Sequence, residues 1–394
     1  MRYKPRMRIA ILGAGPAGLY LSYLIKRREP DADVTVFEQN SADATFGFGV
    51  VFSDRALEFL REDDEETYAA IVPSMESWHD ITLVKGGERI TIDGIGFAAI
   101  GRLRLLQLLQ ARAASARVTA VYGCAVKSLD ELSDFDLVVG ADGVNSLVRK
   151  TFPGEFGASA GHLSNRFAWF GTPQRFETLT QTFVDTAFGP FNAHHYRYEA
   201  DKSTFIVETD AATFERAGIA SMSEADAKAL CERAFVDALG GEPLISNNSI
   251  WRQFPIVRNE RWSHGKYVLL GDALHTAHFS IGSGTRLALE DAIALDKALG
   301  LALAEGEDLS KALAAYETAR RPILEKLVAG ANGSAEWYQN FAEHIKLPAA
   351  DFAMSYITRS GRIDIERLRK LSPKFVEWYQ GNGVGRPPGL VNNS

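Results

Sequence analysis

Residues 8–20, RIAILGAGPAGLY, decide the reading of this chain. Ile9 to Leu12 form a short apolar run, Gly13, Gly15 and Gly18 follow at GxGxxG spacing with Pro16 and Ala17 between them, and helix-forming residues come next. This order predicts a strand, a tight turn and a helix. Gly13 turns the chain, Gly15 lets a pyrophosphate approach the backbone, and Gly18 lets helix and strand pack closely. The free N–H groups of the helix start carry partial positive charge toward phosphates. A second apolar run, Val34 to Phe37, ends on Glu38 and Gln39, and Glu38 follows Gly18 by 20 residues. That is the separation at which an acid reaches a ribose hydroxyl, so the unit predicts a bound dinucleotide.

Two further blocks repeat the logic of glycines and a carboxylate at the end of a buried strand. In DLVVGADGVNSLVR (136–149) the run Leu137 to Val139 leads into Gly140, Asp142 and Gly143. In 267–299 the run Tyr267 to Leu270 ends on Gly271 and Asp272, and a loop with Gly282, Ser283, Gly284 and Thr285 opens a long helix bearing Glu290 and Asp291. Ligands collect at such strand ends in open α/β sheets.

Between the blocks the texture changes. Residues 41–60 read as a loop and a helix from about Asp54, and 81–96 as a hairpin turning at Gly86 and Gly87. Residues 101–114 read as an amphipathic helix, and Val118 to Tyr122 as a strand. From Phe152 to Phe254 strand patterns dominate, over 166–171, 181–187, 191–198 and 203–209. Residues 309–330 and 333–380 read as helical, with Trp337, Tyr338, Phe341, Trp378 and Tyr379 as ordinary core, and the tail after Gly381 as loose. The expected fold is α/β: a Rossmann-like dinucleotide domain (1–75, 98–155 and 256–330), an inserted antiparallel β-sheet substrate domain (76–97 and 156–255), and a C-terminal helical segment with its tail (331–394).

The totals narrow the function. With 394 residues the chain is long enough for two or three domains, and 46% hydrophobic with 24% charged residues is ordinary for a globular enzyme. A net charge of −7 argues against a nucleic-acid partner. Cys124 and Cys231 form neither a CxxC pair nor a metal-ligand pattern, so both read as structural thiols and no metal is expected. No apolar run reaches the ~18 residues of a membrane span. The basic start MRYKPRMR runs into the glycine loop and does not read as a signal peptide, so a cytoplasmic protein without a membrane partner is expected.

The three blocks in this order, GAGPAG at 13–18, DLVVGADGVNSLVR at 136–149 and GDALH…GSG…EDA at 271–292, resemble the single-component flavoprotein aromatic hydroxylases, the para-hydroxybenzoate hydroxylase-like family. The resemblance implies FAD, reduced by NADH or NADPH as a transient visitor, and O2 activated as a flavin hydroperoxide that hydroxylates an electron-rich ring. It assigns the ADP part of FAD to Gly13, Gly15, Pro16, Ala17, Gly18, Glu38 and Gln39. Further contacts fall to Arg102 (with Arg104 as rival), Asp142 and Gly143. Gly271 and Asp272 would take the ribityl chain, and Ser283, Gly284 and Thr285 the flavin ring. Phe279 and Arg286 depart from the family pattern, which has proline and asparagine at those places. HFSIGSGT, AWFGT (168–172) and the 194–209 hairpin look most like the salicylyl-CoA 5-hydroxylase branch, or the violacein-pathway hydroxylase of a tryptophan derivative.

The implied substrate is therefore an aromatic acyl-CoA thioester, with salicylyl-CoA to gentisyl-CoA foremost. An indole intermediate of natural-product synthesis is the alternative, and an FAD-dependent reductase without hydroxylation a further one. A stand-alone hydroxylase unit is expected, as monomer or homodimer. Histidine is the natural base to take a phenol proton near neutral pH, which makes His278, His194 and His195 the catalytic candidates, with His275 reading as structural. His194 and His195 sit on one strand and face opposite sides. CoA phosphates would need cations, and the basic run 359–374 (RSGRIDIERLRKLSPK) reads as a solvated helix face, with Arg166, Arg252 and Arg258 as other sources.

Overall fold

A computed structural model describes residues 7–53 and 57–383. The expected helix start at Asp54, the basic hexapeptide before Met7 and residues 384–394 lie outside the described residues; the first helix after the gap runs Glu58–Asp63, and Gly381 and Asn382 still belong to a helix, Pro373–Asn382.

The Rossmann-like sheet has the order Ser263–His264, Tyr267–Leu269, Leu137–Gly140, Arg8–Leu12, Asp33–Phe37, Thr119–Val121. All neighbours are parallel except the first pair. Near-continuous apolar runs suit strands buried on both faces, and Ala10, Ile11, Val36, Leu137, Val138, Val139 and Val268 are fully buried here. The three ligand-type blocks meet at one edge. Gly13 N–H donates to Phe37 O (2.7 Å), Ala141 N–H to Leu12 O (2.9 Å) and Leu270 N–H to Gly140 O (3.1 Å). Gly13 has φ +97°, and a Cβ there would lie 2.4 Å from Ala141 O. A Cβ on Gly18 would lie 2.0 Å from Gly13 O, which is why the helix Pro16–Arg28 can sit against its strand only with glycine there.

The second sheet has the order Arg252–Asn259, Ala158–Thr172, Lys202–Thr209, Gly189–Glu199, Leu179–Thr186, Ile81–Lys85, Glu88–Ile92. The 81–92 hairpin, predicted from its two glycines, adds to this sheet through a parallel pairing of Ile81–Lys85 with Leu179–Thr186. Alternation sorts its faces: Ala168, Phe170, Ala193, Phe205 and Val207 pack with the helix Glu224–Ala234, while Gln181, His194, Tyr196 and Ile206 face the first domain. A small third sheet, Gly49–Ser53, Phe97–Gly101, Glu76–Trp78, bridges the two.

The two C-terminal helical stretches read from sequence are continuous at their junction: one helix runs Leu309–Gln339 with Pro322 inside it. Trp337, Tyr338 and Phe341 are core, as expected, and Tyr338 also packs against the cavity residue His194.

Candidate active site

One cavity of about 1040 Å³ runs between the parallel sheet's carboxyl edge and the antiparallel sheet. Gly13, Gly15, Pro16, Ala17, Glu38 and Gln39 line one end, and Arg102, Asp142, Gly143, Asp272, Ser283, Gly284 and Thr285 line the middle. His194, Gln181, Tyr196, Ile206, Phe279 and Tyr356 enclose the far end. Gly18 and Gly271 do not line it; they shape the turns behind it.

Three features at the first end and middle fit FAD. A Cβ on Gly15 would meet nothing within 4 Å, so the backbone stands open to a ligand. Asp142 accepts Leu147 N–H with one carboxylate oxygen (2.7 Å), while the other is buried without a partner, and burial raises its pKa. Ser283 Oγ is also buried without a partner, at the start of the helix Gly284–Glu305. That helix's first intrahelical bond is Leu287 N–H to Ser283 O (2.9 Å), which leaves the preceding N–H groups for an acceptor in the cavity. Glu38 is held beside the loop by Ala14 N–H (2.9 Å) and Asn40 N–H (2.8 Å). Of the two candidate arginines, Arg102 lines the cavity near Asp272, and Arg104 is exposed and bonds Ser74.

Asp272 is placed by a buried charge cluster. Asp291 accepts from Gly271 N–H (3.1 Å), contacts His275 Nε2 (2.7 Å) and accepts from Arg320 Nε (2.8 Å). Burial alone would raise the Asp291 pKa, but His275 and Arg320 outweigh it and hold it below the ordinary value. Burial raises the Asp272 pKa, with His275 and Arg102 opposing.

The three histidine candidates separate. His194 lines the cavity. His195 points to the other face, where its Nε2 meets Thr182 Oγ1 (2.8 Å) and its ring stacks on Phe205; the strand's two-residue period thus removes it from the catalytic candidates. His278 lies one layer behind the wall, its Nδ1 on Ser280 Oγ (2.8 Å) and its ring against Phe279 and Phe254. Burial lowers all three, His194 and His195 to about 3 and His278 to about 4, so each is a neutral imidazole at working pH.

Sequence reasoning missed Glu208. It is buried 3.3 Å from His194 Nε2 and accepts from Asn165 Nδ2 (2.9 Å); burial raises its pKa, with His278 and Asn165 opposing. The signal was available in the alternation of KSTFIVET (202–209). Ile206 pairs with His194, so Glu208, two residues on, lies on the same face of an apolar strand. Tyr338 packs behind the wall, its ring 4.8 Å from His194 and its hydroxyl donating to Gln181 Oε1 (3.1 Å).

The family described as FAD binding domain matches residues 116–331, more than half of the chain. Over 364 residues the chain is 43% identical to salicyloyl-CoA 5-hydroxylase of Streptomyces sp., covering 90% of this chain and 70% of that protein. The chain belongs to the FAD-dependent aromatic monooxygenases. The chain is also similar to protodeoxyviolaceinate monooxygenase of Chromobacterium violaceum, at 30% identity over 90% of this chain and 94% of that protein. The fold is that of Pseudomonas aeruginosa PqsL, solved in complex with 2-aminobenzoylacetate (TM-score 0.68, 21% identity, 86% of this chain and 99% of that one). The monooxygenase therefore uses FAD and acts on an aromatic small molecule. Among its described residues no helix is long and apolar enough to cross a membrane.

Proposed function

We propose that this monooxygenase hydroxylates the ring of an aromatic acyl-CoA thioester, salicylyl-CoA to gentisyl-CoA in the first instance, with O2 and with NADH or NADPH as transient reductant. The observation that carries the reading is one continuous cavity, with a glycine-rich strand-end cradle at one end and a histidine–glutamate pair among aromatic walls at the other. The 43% identity to a salicyloyl-CoA hydroxylase supports the substrate class.

Bound FAD supplies reduction of oxygen and its transfer to the ring. The protein's part is to hold, orient and dry the reactants. In this reading Gly13, Gly15, Pro16, Ala17, Glu38 and Gln39 hold the ADP portion, Arg102, Asp142, Gly143 and Asp272 the middle, and Ser283 to Thr285 the ring system. Gly18 and Gly271 act only through the backbone turns they allow. His194 takes the phenolic proton, which makes the ring a better nucleophile. Glu208 fixes the imidazole's orientation through its carboxylate at Nε2. Phe279, Ile206 and Tyr356 exclude water. His278 acts from behind, by holding Ser280 and the cavity wall.

The test supplies FAD-loaded protein with NADH or NADPH in air and, separately, salicylyl-CoA, salicylate, aminobenzoyl-CoA and tryptophan. Gain of one oxygen on a CoA thioester, tied to reductant loss, is expected. Gain on the indole alone would replace this reading with the biosynthetic one.

A further inference from the structure

The departure at Arg286 and the basic run 359–374 meet at the far mouth of the cavity. Most of the run is solvent-exposed, as its sequence suggested, with Arg367, Arg369 and Lys370 on the helix Ile365–Leu371, but Arg359, Arg362 and Arg367 also border the cavity together with Arg286. Two glycines of the helix Leu309–Gln339 leave room for Arg359 and Arg362. A Cβ on Gly330 would lie 2.7 Å from Arg362 Cδ, and one on Gly333 would lie 3.2 Å from Arg359 O. The loop 359–362 can therefore rest on that helix only where side chains are missing.

Arg359 is fully engaged within the protein. Its three nitrogens donate to Ser334 Oγ, Tyr356 O and Ser280 O, and its guanidinium lies 3.8 Å over the Tyr356 ring. The other three differ. Among the described residues Arg362 has no side-chain hydrogen bond and no ion pair, and the Arg367 side chain has only Arg362 O as acceptor (3.3 Å). Arg286 gives Nε to Glu290 (2.7 Å), an acid that it shares with Arg320. Like charges so placed repel: burial lowers the Arg362 pKa, and Arg286 and Arg367 lower it further. Such a cluster at a cavity mouth, on a chain of net charge −7, presents guanidinium donors with few partners of their own to an anion entering the cavity. Guanidinium groups match phosphate oxygens in geometry and charge. Arg166, Arg252 and Arg258 do not line the cavity.

We infer that Arg286, Arg362 and Arg367 form a phosphate-anchoring site at the substrate mouth, which holds the phosphates of a CoA-tethered substrate while the acyl ring lies against His194. The site rests on the acyl-CoA reading for its natural occupant, but it can be tested without turnover. The other phosphate source that could reach it is the 2′-phosphate of NADPH.

The experiment compares wild-type FAD-loaded protein with the Arg362→Gln/Arg367→Gln double variant, after checking that both bind FAD and melt cooperatively. Binding of free CoA is measured by calorimetry at two salt concentrations. Charge-assisted phosphate contacts of this kind give a loss of roughly tenfold or more per arginine. The expected result is CoA binding that weakens with salt in the wild type and is at least tenfold weaker in the variant. In turnover, the ratio of kcat/KM for the CoA thioester over the phosphate-free N-acetylcysteamine thioester is expected to collapse in the variant. Equal CoA affinity in the two proteins, or a KM change confined to NADPH and absent with NADH, overturns the site. CoA binding that depends on the arginines, without hydroxylation of any thioester, upholds the site and removes the substrate reading. Hydroxylation with the same thioester preference in both proteins does the reverse.

Discussion

Asp291→Asn is the substitution whose effect the structure constrains most tightly. Asp291 is fully buried and binds Gly271 N–H, His275 and Arg320, so asparagine leaves the buried Arg320 guanidinium with Glu290 (2.7 Å) as its remaining acid and Leu287 O (3.4 Å) as a neutral acceptor, and turns an amide toward donors. Breaking a buried pair from one side costs roughly 3–5 kcal/mol. Unfolding entropy of about 2.1 cal/mol/K per residue, over 394 residues, is about 0.8 kcal/mol/K, so the melting midpoint should fall by about 4–6 °C. The sign against pH follows from the depressed Asp291 pKa. Its contribution is complete above the ordinary carboxylate value of 3.8 and is lost as pH falls through the lower folded value. The gap between wild type and variant should therefore be full at neutral pH and close in strong acid. The assay is thermal unfolding of both proteins, with and without FAD, from neutral to acid pH. A midpoint change under about 1 °C at neutral pH, a small fraction of the loss expected on breaking a buried pair, would refute the reasoning. A variant with undiminished FAD affinity would separate the cluster from the placement of Asp272.

Asp272→Ala should release FAD from a folded protein, seen as loss of flavin absorbance on gel filtration with the far-ultraviolet spectrum kept; full flavin would contradict its role. Gly15→Ala should lower FAD occupancy without lowering the melting temperature of the apoprotein, because its Cβ meets no protein atom, whereas Gly18→Ala should destabilise the apoprotein itself through the 2.0 Å approach to Gly13 O. His194→Ala should retain FAD yet lower kcat by roughly 10²–10⁴-fold, the usual contribution of a positioned base, with reductant diverted to peroxide; an unchanged rate would move proton transfer elsewhere. His194, His195 and His278 have folded pKa values of about 3, 3 and 4, so the unfolded chain binds more protons as pH falls below about 6.5, and stability measured by denaturant titration should decline from there toward pH 4.

The parts of this structure that repeat a local rule were legible in the sequence. The glycine loop, Glu38 and the Gly86–Gly87 hairpin follow from steric and hydrogen-bonding needs of a few adjacent residues, and strand alternation separates His194 from His195. What escaped depends on contacts distant in sequence. Glu208 acts through a neighbouring strand. The pairing of Arg320 with Asp291 spans two helices. The placement of Arg359 and Arg362 at the cavity mouth depends on Gly330 and Gly333 of another helix, which no local pattern in 359–374 reveals. Arg286 and Phe279 were visible as departures, but only the cavity shows what they face.

The most direct measurement of the central claim is turnover of salicylyl-CoA by the FAD-loaded enzyme under isotopically heavy oxygen gas, with NADH or NADPH, followed by mass spectrometry of the thioester. Gentisyl-CoA carrying one heavy oxygen atom for each reductant consumed in coupled turnover is expected. Reductant oxidation with an unlabelled, unchanged thioester, while another aromatic compound gains the label, would contradict it.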